Sequence, residues 1–151
     1  MKNKLFVALL LVSLFTVNAF AFAASASFNT SLPPYGGGTG EIAVATRDSN
    51  LANASINVVT NQYGEPFLCA VRNRVLFTGA NGVGISANTL VTATAYSSPS
   101  GTGTLKMAYL ANARVASNYS TVLRGQGTAA GTGQPPTAGS SITGTYDADV
   151  N

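Results

Sequence analysis

The sequence predicts an all-β protein: a single β-sandwich or jelly-roll-like domain of about seven or eight antiparallel strands, preceded by an N-terminal hydrophobic signal segment. Three observations predict this fold. Short runs rich in Val, Ile, Thr and Tyr alternate apolar and polar residues, as strands do. Gly, Pro and Asn-Gly turn signals separate these runs. Beyond the leader, strand alternation is favoured over a helical period even in the ambiguous stretch 105–123.

The chain begins with the three-part layout of a secretory signal peptide. Lys2 and Lys4 form a basic start, Leu5 to Val17 forms an apolar core of 13 residues, and small residues follow. Because a membrane-spanning helix needs about 20 apolar residues, we expect cleavage after the Ala-x-Ala site formed by Ala21 and Ala23. An uncleaved leader, which would be the only contact with a membrane, remains the alternative.

Composition divides the chain into three segments. We predict a signal peptide at 1–23, a flexible N-terminal arm at 24–40 and the β-sandwich domain at 41–151. The arm contains Pro33-Pro34 and Gly36-Gly37-Gly38, which disfavour regular strand pairing.

Apolar alternation and turn signals predict the strands of the domain in order, at 41–46, 55–60, 66–78, 89–96, 103–110, 113–124 and 142–150. Asn73 interrupts the apolar face of 66–78, which predicts a bulge or a turn at Arg72-Asn73-Arg74. The SSPSGT stretch predicts a hairpin between 89–96 and 103–110. The Gly-, Pro- and Thr-rich stretch 125–141 predicts a long loop.

The charge balance argues against a nucleic-acid partner. The formal net charge of +3 includes Lys2 and Lys4. Without the leader, six basic side chains face five acidic ones, a net charge of +1. Binding to nucleic acid requires many clustered cations, and these six are spread along the chain.

The residue types that most catalytic sites need are scarce. The chain has no His and a single Cys, Cys69, which excludes Ser-His-Asp triads, Cys-His pairs and common zinc sites. Glu41 and Glu65 are the one candidate glycosidase pair, but two of five acids at strand ends is easily a chance arrangement. We therefore expect a protein that is not an enzyme and that needs no cofactor.

Cys69 alternates with Phe67 and Val71 on one face of a predicted strand. This pattern favours a small buried apolar residue over a nucleophile, because no His is present to activate the thiol.

Two further groups of residues have both a binding and a structural interpretation. Asp147, Asp149 and Asn151 form a D-x-D-x-N pattern, a candidate Ca²⁺ site, but a solvated outer strand face is favoured. Arg72 and Arg74 would share a strand face and contact an anion or a polysaccharide, but a polar turn is the preferred interpretation.

Export, low charge and missing catalytic groups together predict a non-catalytic structural subunit of a cell-surface or extracellular assembly, either filament-like, pilus-like or a matrix. The expected location is secreted or at the cell surface, or periplasmic without further export. The subunit is expected to form a homo-oligomer by strand addition, through the side chains of Phe28, Leu32, Ile142, Tyr146 and Val150. The alternative is a secreted monomeric β-sandwich module that binds carbohydrate or protein.

Overall fold

The structure is a computed structural model that describes residues 25–34, 37–64, 66–97, 100–115, 118–127 and 139–151. The predicted signal peptide, with Ala21 and Ala23, lies outside the described residues, as does most of the predicted loop 125–141. The described residues form an all-β, antiparallel fold, so the predicted fold class is confirmed at this level. A short 3₁₀ turn lies at Ala111–Ala113.

Ten strands run in chain order through this part of the chain: β1 (Ala26–Leu32), β2 (Ala43–Arg47), β3 (Asn53–Asn61), β4 (Phe67–Asn73), β5 (Phe77–Thr78), β6 (Gly84–Ile85), β7 (Ala95–Tyr96), β8 (Gly103–Ala108), β9 (Tyr119–Gly127) and β10 (Ser140–Val150). The first sheet has the order β1-β10-β3-β8, and the second sheet has the order β2-β9-β4-β7. Strands β5 and β6 form a separate two-stranded sheet. All these neighbours pair antiparallel.

One cluster of buried side chains draws on both four-stranded sheets. Alternation selects its members, because successive side chains of a strand point to opposite faces. In β4, Phe67, Cys69 and Val71 are buried, as their period of two predicts. In β10, Ile142 and Tyr146 are fully buried and face the same core. Burial of this apolar surface is the main contribution to stability, at about 25 cal/mol per Å².

The interruption predicted at Arg72-Asn73-Arg74 is the end of a strand, followed by a bend at Arg74 and Val75. Strand β4 ends at Asn73, whose side chain is fully buried. Its Nδ2 donates to the carbonyl oxygens of Val75 and Ser86, at 2.9 and 2.8 Å. Its Oδ1 accepts the Thr89 N–H at 2.7 Å. The Asn73 side chain therefore forms hydrogen bonds with backbone C=O and N–H groups of two loops at the point where the strand ends.

The hairpin predicted between 89–96 and 103–110 is not formed as expected. Strand β7 pairs with β4 in the second sheet, whereas β8 pairs with β3 in the first. Only the isolated bridge between Thr92 and Tyr109 joins the two stretches within the described residues. The segment is held to β4 instead, since the Val71 N–H donates to Thr92 Oγ1 at 3.0 Å.

The N-terminal segment also differs from the expectation of a flexible arm. Ala26–Leu32 is strand β1, and it pairs with β10 along its whole length without a register shift. Phe28 and Leu32 are buried, so their period-two spacing places them in this chain's own core.

Candidate functional site

The side chains predicted to mediate assembly lie inside the molecule. Phe28, Leu32, Ile142 and Tyr146 all belong to the buried cluster, and Val150 is partly buried near the end of β10. In this arrangement they anchor β1 and β10 to each other and to the core. Among the described residues, no strand pairs with the outer backbone edge of β1.

The Phe28 side chain packs against Gly144 of β10. Gly144 is its partner on β10, and a side chain at Gly144 would overlap the Asn57 carbonyl oxygen and lie 2.7 Å from Phe28 Cζ. The ring thus fills space that only glycine leaves free. This contact fixes β1 in register on β10.

β1 is an edge strand of unusual composition. It is first in the order of its sheet, with β10 as its sheet neighbour. Its seven residues, ASFNTSL, include no charge and no proline. At the opposite edge of the sheet, β8 carries Lys106, whose Nζ donates to the Asn151 backbone oxygen. Charges, prolines and bulges are the devices that protect sheet edges from pairing, and β1 has none of them.

A buried ion pair joins the two sheets. Arg47 occupies an inward position of β2, after Ala43 and Ala45, and is 0% exposed. Its Nη1 lies 3.0 Å from Asp149 Oδ1 on β10, and its Nη2 donates to the Leu51 carbonyl at 2.8 Å. Its guanidinium lies over the Tyr109 ring, 3.8 Å from the centroid.

Asp149 is therefore not on a solvated face. Its side chain is 3% exposed, and its Oδ2 accepts the N–H groups of Asp48 and Ser49 at 2.8 and 3.3 Å. Burial raises the pKa of Asp149, although these hydrogen bonds and the Arg47 charge act in the opposite direction. The pairing of β10 with β3 is irregular at this end, with a register shift between Asp147 and Val150.

The candidate Ca²⁺ site at Asp147, Asp149 and Asn151 does not assemble. Both carboxylate oxygens of Asp149 are already bonded, one of them to a cation. Asp147 Oδ1 accepts the Asp149 N–H at 3.0 Å. Among the described residues, no three His, Cys, Asp or Glu side chains come together as possible metal ligands.

Three tyrosines complete the polar interior around Arg47. The Tyr109 hydroxyl donates to the Ala148 carbonyl at 2.7 Å, and the Tyr119 hydroxyl donates to the Ala113 carbonyl at 3.0 Å. The Tyr146 hydroxyl shares a 2.7 Å hydrogen bond with Thr121 Oγ1. Burial raises the pKa of Tyr109 to about 12. These phenols are neutral at physiological pH and serve the packing.

Cys69 is buried as predicted, with 1% exposure. Burial raises the pKa of its thiol to about 12, and its Sγ lies 3.6 Å from Met107 Sδ. A neutral thiol in this setting is a poor nucleophile.

The second sheet carries an open groove of about 500 Å³ on its outer face. Strand β4 presents Leu68, Ala70 and Arg72 to it, the positions that alternate with the buried ones. Strand β9 adds Arg124 and Gln126, and β7 adds the exposed Tyr96. We call this the basic groove, because its lining among the described residues includes two arginines and no acidic residue.

Arg72 and Arg74 would share a face only on one continuous strand over 66–78, and strand β4 ends between them, at Asn73. Arg72 lines the basic groove and donates from Nη1 to the Asn88 carbonyl at 2.6 Å. Arg74 follows the end of β4 and forms a surface ion pair with Glu41, at 3.3 Å. Glu65 lies outside the described residues, so the candidate carboxylate pair has one described member.

The sequence pattern did not single out Arg124, Tyr96 or Arg47. Arg124 lies opposite Ala70, on a strand about 50 positions further along the chain, and such pairing is not visible in local patterns. Arg47 could have been found, because the alternation of Ala43 and Ala45 points it inward.

The comparisons with known proteins give no assignment: no family model, no curated protein and no solved structure matches this chain. In the described part of the chain, no helix has the length and apolar character to span a membrane.

Proposed function

We propose that the protein is an exported, non-catalytic structural subunit of a cell-surface or extracellular assembly, either filament-like, pilus-like or a matrix. In this proposal the two four-stranded sheets pack as a β-sandwich, and copies associate through their sheet edges. The partner is a second copy of the same chain. Nucleic acid and small-molecule cofactors have no part in it.

The observation that carries the proposal is the outer edge of β1, which no other strand of the described residues pairs with. β1 is an uncharged strand of seven residues, and it pairs in regular register with β10 along one of its two edges. Edge-to-edge pairing would satisfy its backbone groups with those of a neighbour. Five or six hydrogen bonds at about 0.5–1.5 kcal/mol each give a modest contact, which repetition along an assembly would reinforce.

The composition of the chain supports the same proposal. Charged residues make up 9% of the sequence, and the leader has the pattern of an export signal. Soluble monomers usually carry more surface charge than this.

Charge added to β1 tests the proposal. Asn29 and Ser31 are exposed on β1, so Asn29→Lys with Ser31→Lys leaves the core residues in place. We expect the variant to fold and to remain monomeric where the unmodified mature chain assembles. Ala80→Lys with Ala87→Lys, in two exposed turns, adds the same two charges away from β1 and should still assemble.

A second candidate function is a secreted monomeric module that binds carbohydrate or protein. The basic groove favours it, because an open depression lined by arginines and an exposed tyrosine suits a polar ligand. Gel filtration separates the two functions, since a module of this kind would remain a monomer at all concentrations.

A further inference from the structure

The two arginines of the basic groove are close neighbours on adjacent strands. Arg124 lies opposite Ala70, and Arg72 lies two positions further along β4. Residues in this diagonal relation are about 7–8 Å apart, so the two guanidinium groups can reach one ligand. Among the described residues, no acidic side chain lines the groove to offset their charge.

Arg124 contributes its side chain to the lining of the basic groove. Its Nε is buried and has no hydrogen-bond partner among the described residues. Because this buried nitrogen is out of reach of a ligand, the contact would come from the terminal Nη groups, and a guanidinium can bind a carboxylate through two parallel N–H donors. The position thus favours a planar anionic group on the ligand.

Tyr96 provides a different kind of contact at the same groove. It is 72% exposed and pairs with Leu68, whose side chain also lines the groove. An exposed phenol ring beside a small apolar surface presents a flat apolar face with a hydroxyl at its end. The C–H face of a sugar ring is complementary to such a surface.

From these contacts we infer that the basic groove binds an acidic oligosaccharide, whose uronic-acid carboxylates pair with Arg124 and Arg72 and whose sugar ring stacks on Tyr96. The ligand lies in the open groove along the outer face of the second sheet. This inference goes beyond assembly through β1 and does not depend on it, because the groove and β1 belong to different sheets.

Other anions fit the groove less well. A nucleic acid would need a longer track of cations than two arginines. A free phosphate would use the guanidinium groups but not the exposed ring of Tyr96. An anionic sugar uses both the charge and the aromatic surface.

Calorimetric titration of the mature protein tests the inference, with oligogalacturonate as the probe. The controls are its fully methyl-esterified form, which is neutral, and inorganic phosphate. We expect binding of the acid form that weakens with added salt, and no detectable binding of either control. Arg124→Gln should lower the affinity about tenfold or more, since it removes charge-assisted hydrogen bonds, and Tyr96→Ala should also lower it.

Arg74→Gln is the matched control, because it removes the same charge from a neighbouring position outside the groove. It should leave the affinity within about twofold, with circular dichroism verifying that each variant is folded. The inference is overturned by absence of binding, by equal binding of the ester or of phosphate, or by equal losses in Arg74→Gln and Arg124→Gln. Retained affinity in Tyr96→Ala would also overturn the proposed stacking.

Discussion

At the scale of single residues, the pair of Arg47 and Asp149 is the interaction whose loss should cost most. Asp149→Ala would leave a buried guanidinium without its counter-ion, and breaking a buried pair in this way costs about 3–5 kcal/mol. Urea unfolding of the two proteins measures the difference.

Glu41→Gln is the control for this prediction, because it also removes one carboxylate from an ion pair with arginine. That pair is on the surface, and such pairs contribute about 0–1 kcal/mol. Equal losses of stability in the two variants would contradict the structural role assigned to Asp149.

Cys69 should behave as a packing residue. Cys69→Ala should destabilise the protein by about 1–2 kcal/mol, as a small truncation in the core. The native thiol should react with a thiol reagent only on unfolding, because burial raises its pKa to about 12. Rapid labelling of the folded protein at neutral pH would show that Cys69 is accessible.

Cys69 and Asp149 illustrate what the sequence can and cannot reveal. The burial of Cys69 is predictable because its neighbours Phe67 and Val71 alternate with it, and that pattern is local. The sequence pattern instead favours a solvated Asp149, because its partner Arg47 is 102 positions away. Long-range pairing of this kind depends on the sheet order, which local alternation does not determine.

At the scale of elements, β1 is the largest departure from the sequence prediction. The Pro- and Gly-rich residues after Leu32 favour the interpretation of 24–40 as an arm. However, Phe28 and Leu32 already have the spacing of an inward strand face. Deleting 24–40 would remove part of the core, so exposed substitutions on β1 are the cleaner test of assembly.

The packing of β1 against β10 at Gly144 gives a prediction at this scale. Gly144→Ala should destabilise the protein by about 1–3 kcal/mol, the usual cost of overpacking, because its Cβ would meet Asn57 and Phe28. Thermal unfolding monitored by circular dichroism measures it.

Gly40→Ala is the matched control, since a Cβ at Gly40 would have no other atom of the described residues within 4 Å beyond its chain neighbours. Its unfolding temperature should stay close to that of the unmodified chain. Similar losses in both variants would mean that the register of β1 on β10 does not depend on Gly144.

At the scale of the whole molecule, export is the first prediction. The basic start, the short apolar core and the Ala-x-Ala sites predict a mature chain that begins near Ala24 or Ser27. Intact-mass measurement of protein from its native source tests this prediction. A mass that includes Met1 to Ala23 would instead indicate a retained hydrophobic segment.

Self-association of the mature chain is the central claim. Light scattering over a range of concentrations, with electron microscopy of the same samples, tests it most directly. Pairing of the β1 edge with a different sheet edge of the next copy is open-ended, so it predicts particles that grow with concentration and appear as filaments or sheets. A monodisperse monomer at the highest concentration, by both methods, would contradict the claim and favour the monomeric binding module.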